Sequence, residues 1–160
     1  MTEESGARVA VVYGSMNEHD VVSRVGAMLA RFGVSYDETV LSPHRSPRAL
    51  ADWCAELEPR GVEVVVAGGG VNASLAGIVA SHTTLPVIGL PLRGGGLNGL
   101  DALLSMTQVS AGVPVAVVGL DHSTNAAVLA VQMLAVGDLR LRAELARFRD
   151  AFEQSAGSRL

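Results

Sequence analysis

The chain has 160 residues, of which 49% are hydrophobic, 18% are charged and 4% are aromatic. This length allows a sizeable core, which Val, Leu, Ile and Ala must fill because aromatic residues are scarce. A formal net charge of -4 argues against a general nucleic-acid-binding protein, which needs a basic surface. The hydrophobic runs have the length of strands and are too short to cross a membrane, so we expect no membrane partner.

Two features of the composition narrow the chemistry further. Cys54 is the one cysteine and Met1–Ser5 has no signal-peptide pattern, so we expect a cytoplasmic protein without a disulfide. All 12 basic residues are arginine. Without lysine the chain has no Schiff-base chemistry, no pyridoxal phosphate linkage and no Walker-type phosphate loop. Anion binding must use arginine, hydroxyl groups, backbone N–H groups or helix N-termini.

Short hydrophobic runs alternate with amphipathic segments along the chain, a pattern typical of α/β proteins. The predicted strands are Val9–Tyr13, Val34–Val40, Val62–Ala67, Pro86–Leu90 and Pro114–Val118. The first, third and fifth runs are nearly continuous in Val and Ala, which predicts burial on both faces of a parallel sheet. Gly33, Gly61 and Gly112 each precede a Val that opens a strand, which predicts a left-handed residue at the end of each preceding helix.

Helical spacing appears between the predicted strands. The first helix presents Val22, Val25, Leu29 and Phe32, and the second presents Leu50, Cys54 and Leu57, so we expect the Cys54 thiol to be buried. Ala-rich segments near Ala73–Ala80, Leu97–Thr107 and Ala126–Ala135 predict three more helices. An apolar stripe of Leu141, Leu145, Phe148 and Phe152 predicts an extra C-terminal helix over about residues 137–156, packed on its own domain or on a neighbouring subunit.

These elements predict an α/β fold, a three-layer α/β/α sandwich with a five-stranded parallel sheet of flavodoxin-like order. We expect a single domain over residues 1–160, with its core at about residues 8–135. The strand-to-helix loops, at residues 14–18, 42–46, 68–74, 91–98 and 119–125, are rich in Gly, Ser, Asn and charged residues. In a parallel sheet such loops meet at the carboxyl edge, where ligands bind.

The segment Ser42-Pro43-His44-Arg45 carries the clearest chemical signal. Histidine exchanges protons near neutral pH, and arginine holds a phosphate or carboxylate through two parallel hydrogen bonds. A loop that pairs them suggests chemistry on a phosphorylated substrate, although a surface turn with two solvated side chains fits equally well. The histidines at positions 19, 44, 82 and 122 lack metal-ligand spacing, so we predict no metal site.

Two more loops offer both a binding and a structural interpretation. Backbone N–H groups of Gly14-Ser15 and the Ser15 hydroxyl suit a phosphate, or else Ser15 or Asn17 caps a helix. Glu18 suits ribose hydroxyls, or else sits favourably in a first helical turn. The run Gly68-Gly69-Gly70 lets a backbone approach a ligand closely, and it also suits tight packing of a helix on the sheet.

Several sequence blocks in order give the chain a recognisable pattern. They are Gly14-Ser15, Ser42-Pro43-His44-Arg45-Ser46-Pro47, Ala67-Gly68-Gly69-Gly70, Leu85-Pro86-Val87-Ile88-Gly89-Leu90-Pro91, Leu97-Asn98-Gly99-Leu100-Asp101-Ala102-Leu103-Leu104-Ser105, Ala111-Gly112-Val113-Pro114-Val115-Ala116 and Asn125-Ala126-Ala127. Over roughly residues 8–135 the chain resembles the bacterial carboxyaminoimidazole ribonucleotide mutase family of purine biosynthesis, often called PurE.

The resemblance implies a flavodoxin-like subunit of a homo-octamer, with active sites at subunit interfaces, and an isomerase reaction without a cofactor. A carboxylate on the exocyclic amine of aminoimidazole ribonucleotide leaves as carbon dioxide, and the ring carbon captures it. His44 matches the histidine that moves the proton. Ser15, Ser42 and Arg45 match residues that hold phosphate, and Glu18 stands where the family has a ribose-binding Asp. The remaining substrate-binding residues expected from the pattern are Asn17, Gly68, Gly69, Gly70 and Ser74.

The chain departs from the family pattern around the expected carbon dioxide pocket. Ser74 stands where the family has a second histidine, Ala76 replaces a proline, and the loop beginning at Arg93 is altered. Two alternatives to the mutase therefore stay open. One is a divergent carboxylase or decarboxylase (a lyase) that acts on another heteroaromatic phosphoribosyl carboxylate in a specialised pathway. The other is a nucleotide-binding oligomer without catalytic activity.

Overall fold

The computed structural model describes residues 6–71 and 73–157, with side chains to residue 153. Met1–Ser5, where we expect no signal peptide, lies outside the described residues. The elements are β1 (Val9–Tyr13), α1 (His19–Arg31), β2 (Tyr36–Val40), α2 (Pro47–Glu56), β3 (Val64–Gly69), α3 (Ser74–His82), β4 (Val87–Pro91), α4 (Leu100–Thr107), β5 (Ala116–Val117), α5 (Ser123–Leu134) and α6 (Leu139–Gly157), with a 3-10 turn at Met16–Glu18.

The five strands form one parallel sheet in the order β2-β1-β3-β4-β5. In this register Tyr13 lies between Val40 and Gly68, and Gly69 lies beside Pro91. The strands therefore end nearly level with one another, and the loops that follow them meet at one edge. The predicted flavodoxin-like α/β fold is confirmed.

Side chains alternate along β1 and β3 and so fill two cores, one on each face of the sheet. Val9, Val11 and Tyr13 point into the core beneath α1 and α5, and Ala10 and Val12 point into the core beneath α2 and α3. Both strands are fully buried, as their runs of Val and Ala predicted. The two cores and the sheet between them give the three layers of the sandwich.

The C-terminal helix packs on its own domain, which was one of the two predicted arrangements. Leu141 and Leu145 are buried with α1 and α5, and the rings of Phe32 and Phe148 lie 5.2 Å apart. Phe152, at the far end of the stripe, is 59% exposed. Most of the predicted apolar stripe is thus covered within one subunit.

The fifth strand differs from its prediction. It was expected to span Pro114–Val118 and to be buried on both faces, but it consists of Ala116–Val117 and is half-buried. It lies at the edge of the sheet and pairs with β4 alone, so its outer side has no neighbouring strand to cover it. Continuous Val and Ala therefore did not distinguish an edge strand from a central one.

The predicted left-handed glycines are present, but only one of them ends a helix. Gly33, Gly61 and Gly112 have φ values of 63°, 85° and 89°. Gly33 directly follows the C-cap of α1, whereas Gly61 and Gly112 lie in turns beyond the ends of α2 and α4. In residues 6–71 and 73–157, no helix has both the length and the apolar character needed to cross a membrane.

Candidate active site

A cleft of two adjoining compartments lies at the carboxyl edge of the sheet. The first, called the His44 compartment, has a volume of about 350 Å³ and is lined by His44, Ser74, Asp101 and Ser105 among others. The second, called the Ser15 compartment, has a volume of about 290 Å³ and is lined by Ser15, Asn17, Glu18, Arg93 and Gly94 among others. Gly70 and Val71 line both compartments, so the loop after β3 forms their common wall.

The loop after β2 carries His44 at its exposed tip. Its base is fixed because the Ser42 hydroxyl oxygen accepts a hydrogen bond from the Arg45 backbone N–H at 3.3 Å, and the Ser46 hydroxyl donates to the Ser42 carbonyl at 3.1 Å. The Arg45 guanidinium donates to the carbonyl of Gly14 at 3.1 Å. This contact ties the loop after β2 to the loop after β1, which places His44 and Arg45 on the same rim as Ser15.

Glu18 binds the backbone N–H groups for which phosphate binding was one of the two interpretations. One of its carboxylate oxygens accepts hydrogen bonds from the backbone N–H groups of Gly14 and Ser15, both at 3.1 Å, and the other accepts from Gly70 at 2.9 Å. The two backbone N–H groups assigned to phosphate binding are therefore already engaged. A carboxylate offers about four acceptor positions, so these three bonds leave one for a ligand hydroxyl.

Ser15 and Asn17 also take part in local capping. The Ser15 hydroxyl oxygen accepts a hydrogen bond from the Asn17 backbone N–H at 3.4 Å, and the turn that follows forms a capping box with Glu18. Both residues still line the Ser15 compartment. Ser15 and Asn17 therefore cap the turn and also line the compartment, so the two interpretations are compatible.

The three glycines after β3 have different surroundings. A Cβ on Gly68 would lie 2.9 Å from Cγ2 of Val22, so Gly68 allows close packing of α1 on the sheet. The Gly69 carbonyl accepts a hydrogen bond from Leu92 at 3.1 Å. Gly70 donates to Glu18 and lines both compartments, so of the three it is the one whose backbone meets the cleft.

Two charged residues that line the cleft, Asp101 and Arg93, and the partner of Arg93, Asp121, were absent from the predicted site. Asp101 lines the His44 compartment, and its Oδ1 is buried without a hydrogen-bond partner among the described residues. Arg93 lines the Ser15 compartment and is held by Asp121. Asp101 stands in a sequence block that carries the resemblance, and Arg93 stands in the strand-to-helix loop 91–98, so their positions were an available signal. The pairing of Asp121 with Arg93 depends on the fold and has no signal in the sequence.

A cluster of polar side chains braces the start of α1 next to the cleft. The buried Tyr13 hydroxyl donates to Glu38 at 2.7 Å and lies 2.9 Å from Nδ1 of His19, which is also 2.9 Å from Glu38. Burial raises the pKa of Tyr13, and the Glu38 carboxylate raises it further. The Tyr13 hydroxyl therefore keeps its proton and remains a donor to Glu38 at physiological pH.

Comparisons with known proteins agree with the fold and with the sequence blocks. A family model described as AIR carboxylase matches residues 8–155. A protein of Pyrococcus horikoshii named N5-carboxyaminoimidazole ribonucleotide mutase is 41% identical over 140 residues, which are 88% of this chain and 79% of that protein. A protein of the same name from Mycobacterium tuberculosis is 44% identical over 143 residues, which are 89% of this chain and 82% of that protein.

A solved structure gives the same result for the fold. The crystal structure of Treponema denticola PurE has a TM-score of 0.86 with this chain at 19% identity, and the match covers 92% of each chain. The family match spans the whole of the predicted core and most of the C-terminal helix. The chain therefore belongs to the AIR carboxylase family.

Proposed function

We propose that the protein is an N5-carboxyaminoimidazole ribonucleotide mutase, an isomerase of purine biosynthesis that acts in the cytoplasm. Relatives more than 40% identical over most of this chain carry that name. The observation that carries the proposal is the two-compartment cleft, in which an exposed imidazole at one end and a serine and arginine at the other share the Gly70–Val71 wall. A ribonucleotide that lies along this wall has its base at His44 and its phosphate toward Ser15.

In this reaction His44 acts as the proton carrier. The bond between the exocyclic nitrogen and the carboxylate carbon breaks, carbon dioxide leaves, and the protonated imidazole gives its proton to the nitrogen. The ring carbon then forms a bond to carbon dioxide and loses its hydrogen as a proton to the neutral imidazole. One imidazole performs both transfers and ends in its starting state.

The rest of the cleft keeps carbon dioxide next to the ring of the substrate. Carbon dioxide must not diffuse away between the two steps, and glycine-rich backbone closes around a small molecule without side-chain bulk. Arg45 and Ser42 stabilise the loop that carries His44, and Glu18 keeps one acceptor position for a ribose hydroxyl. No step of the proposed reaction needs a cofactor or a metal.

We also propose that the protein assembles as a homo-octamer with its sites near subunit interfaces. Apolar side chains near the cleft support an interface there, because Val71, Leu97, Leu100 and Leu104 are 77%, 63%, 49% and 49% exposed. Leu100 and Leu104 lie one turn apart on α4, the helix that also supplies Asp101 to the His44 compartment. Light scattering of the purified protein tests this, and a monomeric mass contradicts it.

The activity is tested with the purified protein and synthetic N5-carboxyaminoimidazole ribonucleotide, without ATP or metal. We expect a new ultraviolet absorbance from the ring-carboxylated product and recovery of the isotopic label of the carboxylate in that product. A folded protein that gives no product contradicts the proposal.

Ser74 favours a second candidate, a relative that carboxylates or decarboxylates another heteroaromatic phosphoribosyl compound. Ser74 lines the His44 compartment, and it stands where the family pattern has a second histidine. A hydroxyl in place of an imidazole there changes which ring and which carboxyl group fit beside His44. This candidate is supported over the mutase if the protein converts another phosphoribosyl azole carboxylate and does not convert the aminoimidazole ribonucleotides.

A further inference from the structure

We propose that Arg93 binds the phosphate of the substrate, in a position fixed by Asp121. The inference rests on the proposed ribonucleotide substrate and goes beyond it, since the sequence pattern places phosphate binding at Ser15, Ser42 and Arg45 alone. Arg93 and Glu18 are the charged residues among those that line the Ser15 compartment, and Arg93 is the cation of that pair.

The shape of the cleft decides which part of the substrate reaches Arg93. In a ribonucleotide the phosphate lies at the opposite end of the sugar from the base. With the base at His44, the sugar passes the wall formed by Gly70 and Val71, and the phosphate enters the Ser15 compartment. Glu18 repels an anion there and its backbone partners are occupied, so a phosphate needs a cation from another loop. Arg45 donates to the Gly14 carbonyl and does not line this compartment, whereas Arg93 does.

Asp121 aims Arg93 at this space. Its Oδ1 accepts a hydrogen bond from the Arg93 backbone N–H at 2.9 Å, and its Oδ2 pairs with Nη1 of the guanidinium at 3.0 Å. The Asp121 backbone adopts a left-handed φ of 57°, and its own N–H donates to the Pro91 carbonyl at 2.9 Å. A residue other than glycine rarely adopts this conformation, so the loop after β5 is built around these contacts.

The pairing leaves most of the guanidinium available. Arg93 has five N–H donors, of which the described structure engages one with Asp121, and its side chain is 58% exposed. A second edge of the planar group is thus open for the two parallel hydrogen bonds that arginine makes to phosphate.

Titration calorimetry with aminoimidazole ribonucleotide, its dephosphorylated riboside and ribose 5-phosphate tests the proposal. We expect Arg93→Gln to weaken the two phosphorylated probes about 10- to 100-fold, the range for a lost charge-assisted hydrogen bond, and to leave the riboside within about twofold. Arg93→Lys restores part of the loss, and Arg149→Gln, an exposed arginine on α6, binds like the wild type. An equal loss for the riboside, or no loss for ribose 5-phosphate, overturns the proposal.

A double-mutant cycle tests the role of Asp121 as a positioning residue. Asp121→Asn removes the charge of the partner and tolerates the left-handed backbone. We expect Asp121→Asn to change the affinity for ribose 5-phosphate when Arg93 is present. The same substitution should have no effect in the Arg93→Gln protein. An effect of the same size in both backgrounds shows that Asp121 does not act through Arg93.

These measurements separate the two proposals. A wild-type protein that binds ribose 5-phosphate through Arg93 but converts no ribonucleotide contradicts the mutase and supports the role of Arg93. A protein that converts the ribonucleotide, with Arg93→Gln unchanged in affinity, supports the mutase and contradicts the role of Arg93. A protein that binds no phosphorylated probe contradicts both.

Discussion

The Glu18 carboxylate accepts a hydrogen bond from the backbone N–H of Gly70 at 2.9 Å, across a separation of 52 residues. The same carboxylate holds the backbone of Gly14 and Ser15. A single side chain thus joins the loops that follow β1 and β3, which are neighbouring strands. An Asp is one methylene shorter, so the Glu at this position suits a carboxylate that must reach both loops.

We expect Glu18→Gln to lower the free energy of unfolding by about 1–3 kcal/mol and to raise KM. The amide keeps one acceptor oxygen, and its NH₂ group faces at least one backbone N–H that then has no partner. Urea unfolding and steady-state kinetics measure the two effects. Glu56→Gln, an exposed residue on α2, is the matched control, and equal stability of the two variants would contradict the bridging role of Glu18.

Replacement of His44 tests the proton carrier. We expect His44→Asn to lower kcat about 10²- to 10⁴-fold, the usual contribution of a general acid–base group, without a change in melting temperature, because the side chain is exposed. Its affinity for aminoimidazole ribonucleotide, measured by calorimetry, stays near that of the wild type. The control is His82→Asn, which changes an exposed histidine at the end of α3. A His44→Asn enzyme with near-normal kcat would rule out the assigned role.

The raised pKa of Tyr13 predicts a loss of stability in alkali. The folded protein keeps the phenol proton that the unfolded chain releases above its ordinary pKa of about 10. Above that pH the native state binds more protons than the unfolded state, so the free energy of unfolding falls as pH rises; below it the contribution is fully present. The absence of lysine removes the groups that usually titrate in this range.

The contribution of Tyr13 is measured as a difference between variants. Urea unfolding from pH 8 to pH 11 compares the wild type with Tyr13→Phe, in which we expect a smaller alkaline loss. Tyr36→Phe, at a β2 tyrosine that is 38% exposed, should follow the wild-type slope. Identical slopes for wild type and Tyr13→Phe would show that the phenol does not titrate differently on folding.

The Cys54 thiol should be unreactive in the native protein. It is 3% exposed, and burial raises its pKa to about 11, so little of it is thiolate at pH 8. We expect a thiol reagent such as dithionitrobenzoate to react at the rate of unfolding, and to react at once in denaturant. Rapid reaction of the native protein would contradict the buried position of Cys54.

Gly68→Ala tests the contact between β3 and α1. The added Cβ lies 2.9 Å from Cγ2 of Val22, a branched side chain within a helix, so one of the two elements must shift. We expect a loss of about 1–3 kcal/mol in the free energy of unfolding, measured in urea. Gly137→Ala is the control because a Cβ there has open space, and its stability should stay close to that of the wild type.

The fold was predictable because local patterns and the core agree. Val9–Tyr13 is a strand with the predicted bounds, and the spacing of Val22, Val25 and Leu29 matches the buried face of α1. The edge strand β5 was mispredicted because Val and Ala suit a strand whether one neighbour covers it or two. The predicted flavodoxin-like order places β5 at the edge of the sheet, whereas the composition of the run does not show it.

The site was predictable as far as its loops and less so in its contacts. His44, Ser15 and Gly70 do lie on one rim, because parallel strands bring their carboxyl ends together. The hydrogen bonds of Glu18 to three backbone groups were not foreseen, since the sequence does not show that the loops after β1 and β3 approach within the reach of one side chain. The pairing of Arg93 with Asp121 was also not foreseen, because it joins the loops after β4 and β5.

Both outer strands of the sheet discourage the addition of another strand. On one side, β5 offers two residues for pairing, and on the other, β2 carries Asp37 and Glu38 among its five residues. Short or acidic edges are poor templates for a neighbouring chain, and they protect a protein against aggregation through its sheet. If copies of this subunit associate as proposed, the edges of the sheet favour contacts through helices and loops over strand pairing.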